Sequence, residues 1–173
     1  MKTVIAEHRT DSNCRHIIND EDGPFAPERA GSLPSQSLIK YFGQSGMTAK
    51  EMLEKMKSRG GLVAHLGVND RREVEKMIEN GDEHAKLIYD AMALNVARKI
   101  GEEAATVAGD VEAIILTGGI AYSEYFTNEV KKNAECIAPV IVYPGEKEME
   151  SLALGGLRVL RGQEKAHEFV KSE

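Results

Sequence analysis

The 173-residue sequence has few cysteines, no long apolar run and no excess of positive charge. Its longest apolar stretches, such as 113–116 and 138–143, are far too short to cross a bilayer. No basic start followed by an apolar stretch opens the chain, so we expect no signal peptide. A net charge of −6 with a pI near 5.5 removes the general attraction to nucleic acid and anionic lipid. These absences argue against membrane, secreted and nucleic-acid-binding proteins.

The sparse cysteines indicate the compartment. Cys14 and Cys136 lie far apart and form no C-x-x-C pair, which favours reduced thiols in a cytoplasmic protein. The rest of the composition is that of an ordinary globular chain, with 42% hydrophobic and 29% charged residues. The length suffices for one compact domain, or two very small ones, with a buried core.

From residue 34 to about residue 108, the apolar residues follow helical spacing. A helix is predicted over 35–42, ended by Gly43, and another begins at the capping box of Thr48 and Glu51. The short apolar run 62–66 fits either a strand or a buried turn, and its His65 is expected to be a packed core histidine.

Asn69 or Asp70 caps the next predicted helix. The longest helix is expected over 82–108, with Gly109 at its end. Its alanine-rich sides let neighbouring elements approach closely, which favours a central buried position.

The last third alternates between strands and helices. Strands are predicted at 113–117 and 138–143, and helices at 123–134 and 147–161. A strand–helix–strand run of this length is typical of a βαβ unit with parallel strands. The fold class is therefore α/β and rich in helix.

The clearest candidate site is the glycine pair Gly118 and Gly119, between the first strand and the next helix. Such glycines let the backbone approach a ligand closely, the following helix N-terminus favours an anion, and ligands in open α/β sheets lie beyond the carboxyl ends of strands. A tight turn without a ligand is the alternative. The segment matches neither the dinucleotide G-x-G-x-x-G nor the P-loop pattern.

A second candidate is the helix start at Asp70, Arg71 and Arg72. Asp70 is explained as the helix cap, but two cations near a helix N-terminus are unfavourable. A phosphate-bearing or ring-bearing ligand would explain them, because guanidinium groups fork onto phosphates and stack on planar rings. Plain solvated arginines are the alternative.

Two further candidates are charged residues in turn-rich segments. Arg29 lies in the stiff Pro- and Gly-rich segment 24–31. Such a segment could hold the arginine charge against a transferring phosphoryl group, and an ordinary turn is the alternative. Acids at the start of the last helix, Glu146 and Glu148 among them, either offset the helix dipole or hold Mg²⁺ near a nucleotide. No H-E-x-x-H or paired histidine spacing supports a metal hydrolase.

Four long motifs in order resemble the acetate and butyrate kinase family, and the butyrate kinases within it. That family belongs to the actin, sugar kinase and Hsp70-like ATPase superfamily. The motifs occupy 22–31 (DGPFAPERAG), 60–70 (GGLVAHLGVND), 113–123 (AIILTGGIAYS) and 138–150 (APVIVYPGEKEME).

The resemblance implies an actin-like (ribonuclease H-like) ATPase domain, the C-terminal half of a two-domain kinase. It implies a nucleotide-binding domain over 1–162 and a charged tail over 163–173. The family's N-terminal actin-like domain and its histidine–glycine phosphate loop have no counterpart here, and residues between His8 and Gly23 depart from the family's hairpin.

By the same resemblance, Arg29 matches the arginine that steadies the phosphoryl group during transfer. Asp70, Arg71 and Arg72 match the adenine and ribose contacts. The Mg²⁺-associated glutamate matches Glu146 or Glu148, since an ungapped pairing falls between them on Lys147. The residues that match the adenosine-binding loop are Gly118, Gly119, Ile120, Ala121, Tyr122 and Ser123.

The family reaction is in-line phosphoryl transfer from ATP to butyrate, which gives butyryl phosphate and ADP. The implied ligands are ATP or ADP, Mg²⁺ and a short-chain carboxylate. The implied protein partner is either a second copy of the chain or a separate chain that carries the missing half. The isolated chain is expected to be inactive, since half of the phosphate cradle is missing. The rival interpretations are a non-catalytic nucleotide-binding or dimerisation module and the remnant of a truncated gene.

Overall fold

The computed structural model describes residues 23–145 and 148–165, which form seven α-helices and two β-strands. A short 3₁₀ helix, Gly119–Tyr122, follows the first strand. In chain order the elements are α1 (Ser35–Ser45), α2 (Ala49–Ser58), α3 (Gly61–Leu66), α4 (Arg71–Glu79), α5 (Glu83–Thr106), β1 (Ile114–Gly118), α6 (Glu124–Ala134), β2 (Val140–Pro144) and α7 (Glu148–Leu160).

The two strands are parallel, as the βαβ pattern predicts. β1 and β2 pair in register from Ile114 opposite Val140 to Gly118 opposite Pro144, with α6 as the connection. Both strands therefore end at the same edge of the sheet. The predicted α/β class is confirmed.

Helix α5 is the centre of the fold, and nine of its residues are buried. It packs against α3, α4 and α6. Asp82 caps its start by accepting a hydrogen bond from the Ala85 N–H at 2.9 Å. The predicted central helix is confirmed, with slightly narrower bounds. The core it organises includes Leu62, Val74, Tyr89, Met92, Val96, Ile100, Ile114, Leu116, Phe126 and Val130.

The predicted end of α1 at Gly43 is wrong. The helix runs on to Ser45, and Gly46 ends it with a left-handed backbone (φ 68°). Gly43 lies on the helix surface with open space around it, so nothing there requires the chain to turn. A helix-ending glycine is fixed by its backbone conformation, which the sequence alone does not distinguish between two nearby glycines.

The run 62–66 is neither a strand nor a turn but most of α3. The N–H groups of Leu62 and Val63 donate to the carbonyls of Ala26 and Pro27, at 3.4 and 3.0 Å. These distant acceptors satisfy the first turn of a helix that is too short to be stable alone. His65, expected in the core, is exposed, and Leu62 is the buried member of the run.

Some predictions fall on residues outside the described ranges. Cys14 and Glu146 lie there, as does the side chain of Glu148. Cys136 is an exposed thiol that forms no disulfide with any described residue. Within 23–145 and 148–165, the structure contains no helix with the length and hydropathy needed to span a membrane.

Candidate functional site

The carboxyl ends of β1 and β2 are joined at two glycines. The Gly118 N–H donates to the carbonyl of Gly145 at 3.2 Å, and the Gly145 N–H donates to the carbonyl of Gly118 at 3.1 Å. The Thr117 hydroxyl also donates to the Gly145 carbonyl, at 3.1 Å. The predicted glycine loop and the acidic segment after residue 145 thus leave the sheet at one point.

The glycine loop presents open backbone and an exposed ring at this edge. Gly119 is exposed, and no atom lies within 4 Å of the place where a Cβ would stand. The Tyr122 ring is 60% exposed and lies over Gly145, where a Cβ would come within 2.6 Å of the tyrosine oxygen. The backbone of the loop is therefore open to a ligand at Gly119.

Two side chains of the loop are buried and face the protein interior. Ala121 is 4% exposed and Ser123 is 1% exposed. The Ser123 hydroxyl caps α6 by accepting from the Phe126 N–H at 3.0 Å, and it lies 3.3 Å from the Tyr89 hydroxyl. Any contribution of Ser123 to ligand binding would act through the shape of the loop.

Asp70 and Arg72 form a tight ion pair at the start of α4. The Asp70 carboxylate caps the helix by accepting from the Arg72 N–H at 2.9 Å. It also accepts from the Arg72 side chain, at 3.0 Å from Nε and 2.5 Å from Nη2. Arg71 has its own acidic partner, since its Nη1 lies 3.6 Å from Glu75 Oε1. Both arginines are therefore accounted for without a ligand, although the Arg72 side chain remains 73% exposed.

The ion pair predicts how Asp70 titrates. The Arg72 guanidinium, helped by the Arg72 backbone N–H, lowers the Asp70 pKa from 3.8 to about 2. The stability that this pair contributes is therefore present above about pH 4 and is lost as the pH falls towards 2. Carbon-detected NMR of the carboxyl group is expected to show a midpoint near 2 in the unmodified chain.

Arg72→Ala tests the cause of that pKa shift. The midpoint of Asp70 is expected to rise towards 3.8, because the strongest hydrogen bonds to the carboxylate are lost. Arg59→Ala is the control, since Arg59 is a similarly exposed arginine whose partner is Glu54 at 3.9 Å. An Asp70 midpoint unchanged by Arg72→Ala would contradict the ion pair.

A cleft of about 450 Å³ lies along the exposed side of α4. Four carboxylates and two basic groups line it, so it does not favour a phosphate. It suits an uncharged ring or hydroxyl groups better, with the guanidinium plane of Arg72 available for stacking. The lining residues are Asp70, Arg72, Glu73, Glu75, Lys76 and Glu79.

Arg29 belongs to a loop that is pinned to α2, α3 and the start of α4. Its own carbonyl accepts from the Ala26 N–H at 3.0 Å, and the Glu28 carbonyl accepts from the Gly60 N–H at 2.8 Å. The Glu28 carboxylate accepts from the side-chain amide of Asn69 at 2.7 Å. The loop that carries Arg29 is thus fixed beside the Asp70 segment.

Contacts between side chains link three of the predicted segments, and sequence reasoning did not identify Glu28, Asn69 or Tyr89 as residues of the site. Glu28 and Asn69 join the Arg29 loop to α4, while Tyr89 connects Glu75 of α4 to Ser123. The sequence signal for Tyr89 is a tyrosine among the core residues of α5, because a buried tyrosine hydroxyl needs a hydrogen-bond partner. In the described part of the chain, no three acidic, histidine or cysteine side chains are grouped as metal ligands.

Comparisons with known proteins agree on one family. A family model described as the acetokinase family matches residues 23–137. A protein named probable butyrate kinase 2, from Caldanaerobacter subterraneus subsp. tengcongensis, is 53% identical over 142 residues, which cover 82% of this chain. The chain spans about 40% of the length of this curated relative.

Solved structures share the fold at low sequence identity. An acetate kinase from Porphyromonas gingivalis superposes with a TM-score of 0.73 at 22% identity, over 80% of this chain and 41% of that one. A propionate kinase from Francisella tularensis gives 0.63 at 20% identity, over 74% and 39%. An acetate kinase from Entamoeba histolytica gives 0.67 at 15% identity, over 79% and 43%. These likenesses show that the chain shares the fold of the matching part of acetate and propionate kinases.

Proposed function

Because this chain belongs to the acetokinase family, we propose that it is the nucleotide-binding, C-terminal part of a butyrate kinase. The whole enzyme would transfer a phosphoryl group from ATP to the carboxylate of butyrate or a similar short-chain acid, and release ADP. The domain would span 1–162, followed by the charged tail 163–173. The observation that carries this proposal is the linkage of the Arg29 loop, the start of α4 and the glycine loop through Glu28–Asn69 and Tyr89.

Each predicted segment has a proposed role in that reaction. Arg29 would stabilise the charge of the transferring phosphoryl group from a loop held rigidly by backbone hydrogen bonds. The plane of Arg72 and the open backbone at Gly119 would bind the adenosine part of the nucleotide. The chemistry then needs positioning and electrostatic stabilisation rather than a covalent nucleophile.

Mg²⁺ is proposed to bind beside the glycine loop. The Gly118–Gly145 hydrogen bonds bring the chain that leads to Glu146 and Glu148 to that edge. Carboxylate donors fit this ion, which usually takes one or two carboxylates, with nucleotide phosphates and water completing its shell. When bound, it would neutralise charge on the phosphates.

The isolated chain is expected to make no acyl phosphate. It covers about 40% of the relative's length, and we propose that the remaining part supplies the rest of the phosphate and acyl site. Trapping butyryl phosphate with hydroxylamine, with a full-length family kinase as positive control, should give a signal at background. Turnover by the isolated chain that Arg29→Ala abolishes would show instead that the site is complete here.

A nucleotide-binding or dimer-forming module without catalysis is the second candidate. Apolar side chains on one face of the sheet favour it, since Ile115 is 50%, Ile141 40% and Tyr143 61% exposed. Parallel sheets are normally covered on both faces, so a second copy or a partner chain with the remaining part would be expected there. This candidate predicts ADP affinity without turnover, including when the missing part is supplied.

A further inference from the structure

The hydroxyl of Tyr89 connects the two segments proposed to bind adenosine. Tyr89 is fully buried in α5, and its oxygen lies 3.2 Å from Glu75 Oε1 and 3.3 Å from Ser123 Oγ. Glu75 pairs with Arg71 at the start of α4, while Ser123 closes the glycine loop and caps α6. The hydroxyl therefore lies between two parts of the chain that have no backbone pairing with each other among the described residues.

The available protons give this set of hydrogen bonds one direction. The Phe126 N–H donates to Ser123 Oγ, which leaves the serine proton free to point at the Tyr89 oxygen. The single proton of Tyr89 then goes to the Glu75 carboxylate, the stronger acceptor. Burial raises the pKa of Tyr89, so the hydroxyl keeps this proton throughout the neutral range. The hydrogen bonds thus run from the Phe126 N–H through Ser123 and Tyr89 to Glu75, which pairs with Arg71.

The packing around the ring fixes the position of the hydroxyl. The Tyr89 ring stacks on Tyr125 with centroids 5.8 Å apart and an interplanar angle of 19°. It also packs against Phe126 at 5.3 Å. The Tyr125 hydroxyl points elsewhere and donates to Asp90 at 2.6 Å. The half-buried Tyr125 therefore packs on the Tyr89 ring but makes none of its hydrogen bonds, which makes Tyr125 a useful control.

We propose that Tyr89 is a positioning residue whose hydroxyl holds the start of α4 and the Gly118–Ser123 loop at a fixed spacing. Tyr89 and Ser123 are buried while Glu75 is partly exposed, so removing the tyrosine hydroxyl takes a hydrogen-bond partner from the buried Ser123 Oγ and breaks its connection to Glu75. The effect of Tyr89 on ligand affinity rests on the proposed nucleotide-binding function. The linkage between the two segments is independent of that function and is tested separately.

The ligand-free test measures hydrogen exchange at the Phe126 amide in the full 173-residue chain. Tyr89→Phe and Glu75→Ala are each expected to speed this exchange several-fold, although the hydrogen bond of the Phe126 N–H goes to Ser123 and not to Glu75. The double variant should be no faster than either single one, because both changes break the same linkage. Tyr125→Phe should leave the rate unchanged. Independent, additive effects of Tyr89→Phe and Glu75→Ala would overturn the proposal.

The ligand test measures Mg-ADP affinity by calorimetry on the same variants. Tyr89→Phe and Glu75→Ala are expected to weaken binding to a similar extent, by about tenfold for one lost hydrogen bond. Glu75→Gln keeps an oxygen acceptor for the tyrosine and should therefore lose less affinity than Glu75→Ala. Equal affinity in Tyr89→Phe and the unmodified chain would overturn the positioning role. If the unmodified chain fails to bind Mg-ADP, the proposed function is wrong, and the exchange experiment still decides the linkage.

Discussion

Gly61→Ala is expected to destabilise the protein by about 3 kcal/mol, among the largest effects of any single methyl group here. A Cβ on Gly61 would stand 1.6 Å from the Ala26 carbonyl oxygen and 2.9 Å from that of Arg29. The residue also has a positive φ of 53°, which side chains other than hydrogen disfavour. Since the neighbours are backbone atoms, the clash is relieved only by moving the Arg29 loop away from α3.

Urea unfolding of Gly61→Ala and Gly43→Ala measures this effect against a matched control. Gly43 lies on the surface of α1 with no atom within 4 Å of a Cβ, so alanine there should stabilise by about 0.5–1 kcal/mol. Limited proteolysis should cleave the 24–31 loop faster in Gly61→Ala alone. A stability within about 0.5 kcal/mol of the unmodified chain would mean that the loop does not pack on α3.

Gly118→Ala is expected to lower stability, whereas Gly119→Ala is expected to lower nucleotide affinity and leave stability nearly unchanged. Gly118 is buried with φ 90° and ψ −178°, a conformation that only glycine adopts readily. Alanine there should cost about 1–3 kcal/mol and disrupt the hydrogen bonds to Gly145. Gly119 is exposed and has open space around it, so alanine should change stability by less than about 0.5 kcal/mol.

The binding half of this prediction concerns Gly119. If a nucleotide approaches the loop backbone there, a methyl group occupies its place and Mg-ADP affinity should fall by about tenfold or more. Thermal unfolding distinguishes a direct obstruction of the ligand from a loss of stability, because Gly119→Ala should lose affinity with an unchanged unfolding temperature. Unchanged affinity in a stable Gly119→Ala chain would place the nucleotide away from this loop.

The features that sequence reasoning predicted correctly depend on local signals. Thr48 and Glu51 form the predicted capping box, and Asp70 caps α4. The stripe of α5 and the βαβ unit also follow from the spacing of neighbouring residues. Each of these signals lies within a few residues of the structure that it specifies.

The features that it missed depend on partners that are distant in the chain. Helix α3 exists where a strand or turn was expected because carbonyls of Ala26 and Pro27 complete its first turn. Tyr89 meets partners 14 and 34 residues away, and no periodicity reveals such a meeting. For the site, the sequence identified the segments, while their linkage through Glu28, Asn69 and Tyr89 required the fold.

The central claim, that this chain carries a preformed nucleotide half-site, is tested most directly by Mg-ADP titration calorimetry on the full chain. Once a cooperative thermal transition confirms folding, we predict saturable binding that weakens by about tenfold in Arg72→Ala, since we propose that its guanidinium plane stacks on the base. Arg59→Ala, an equally exposed arginine, should bind as the unmodified chain does. Absence of saturable binding by a cooperatively folding chain, or equal affinity in Arg72→Ala, would contradict the account.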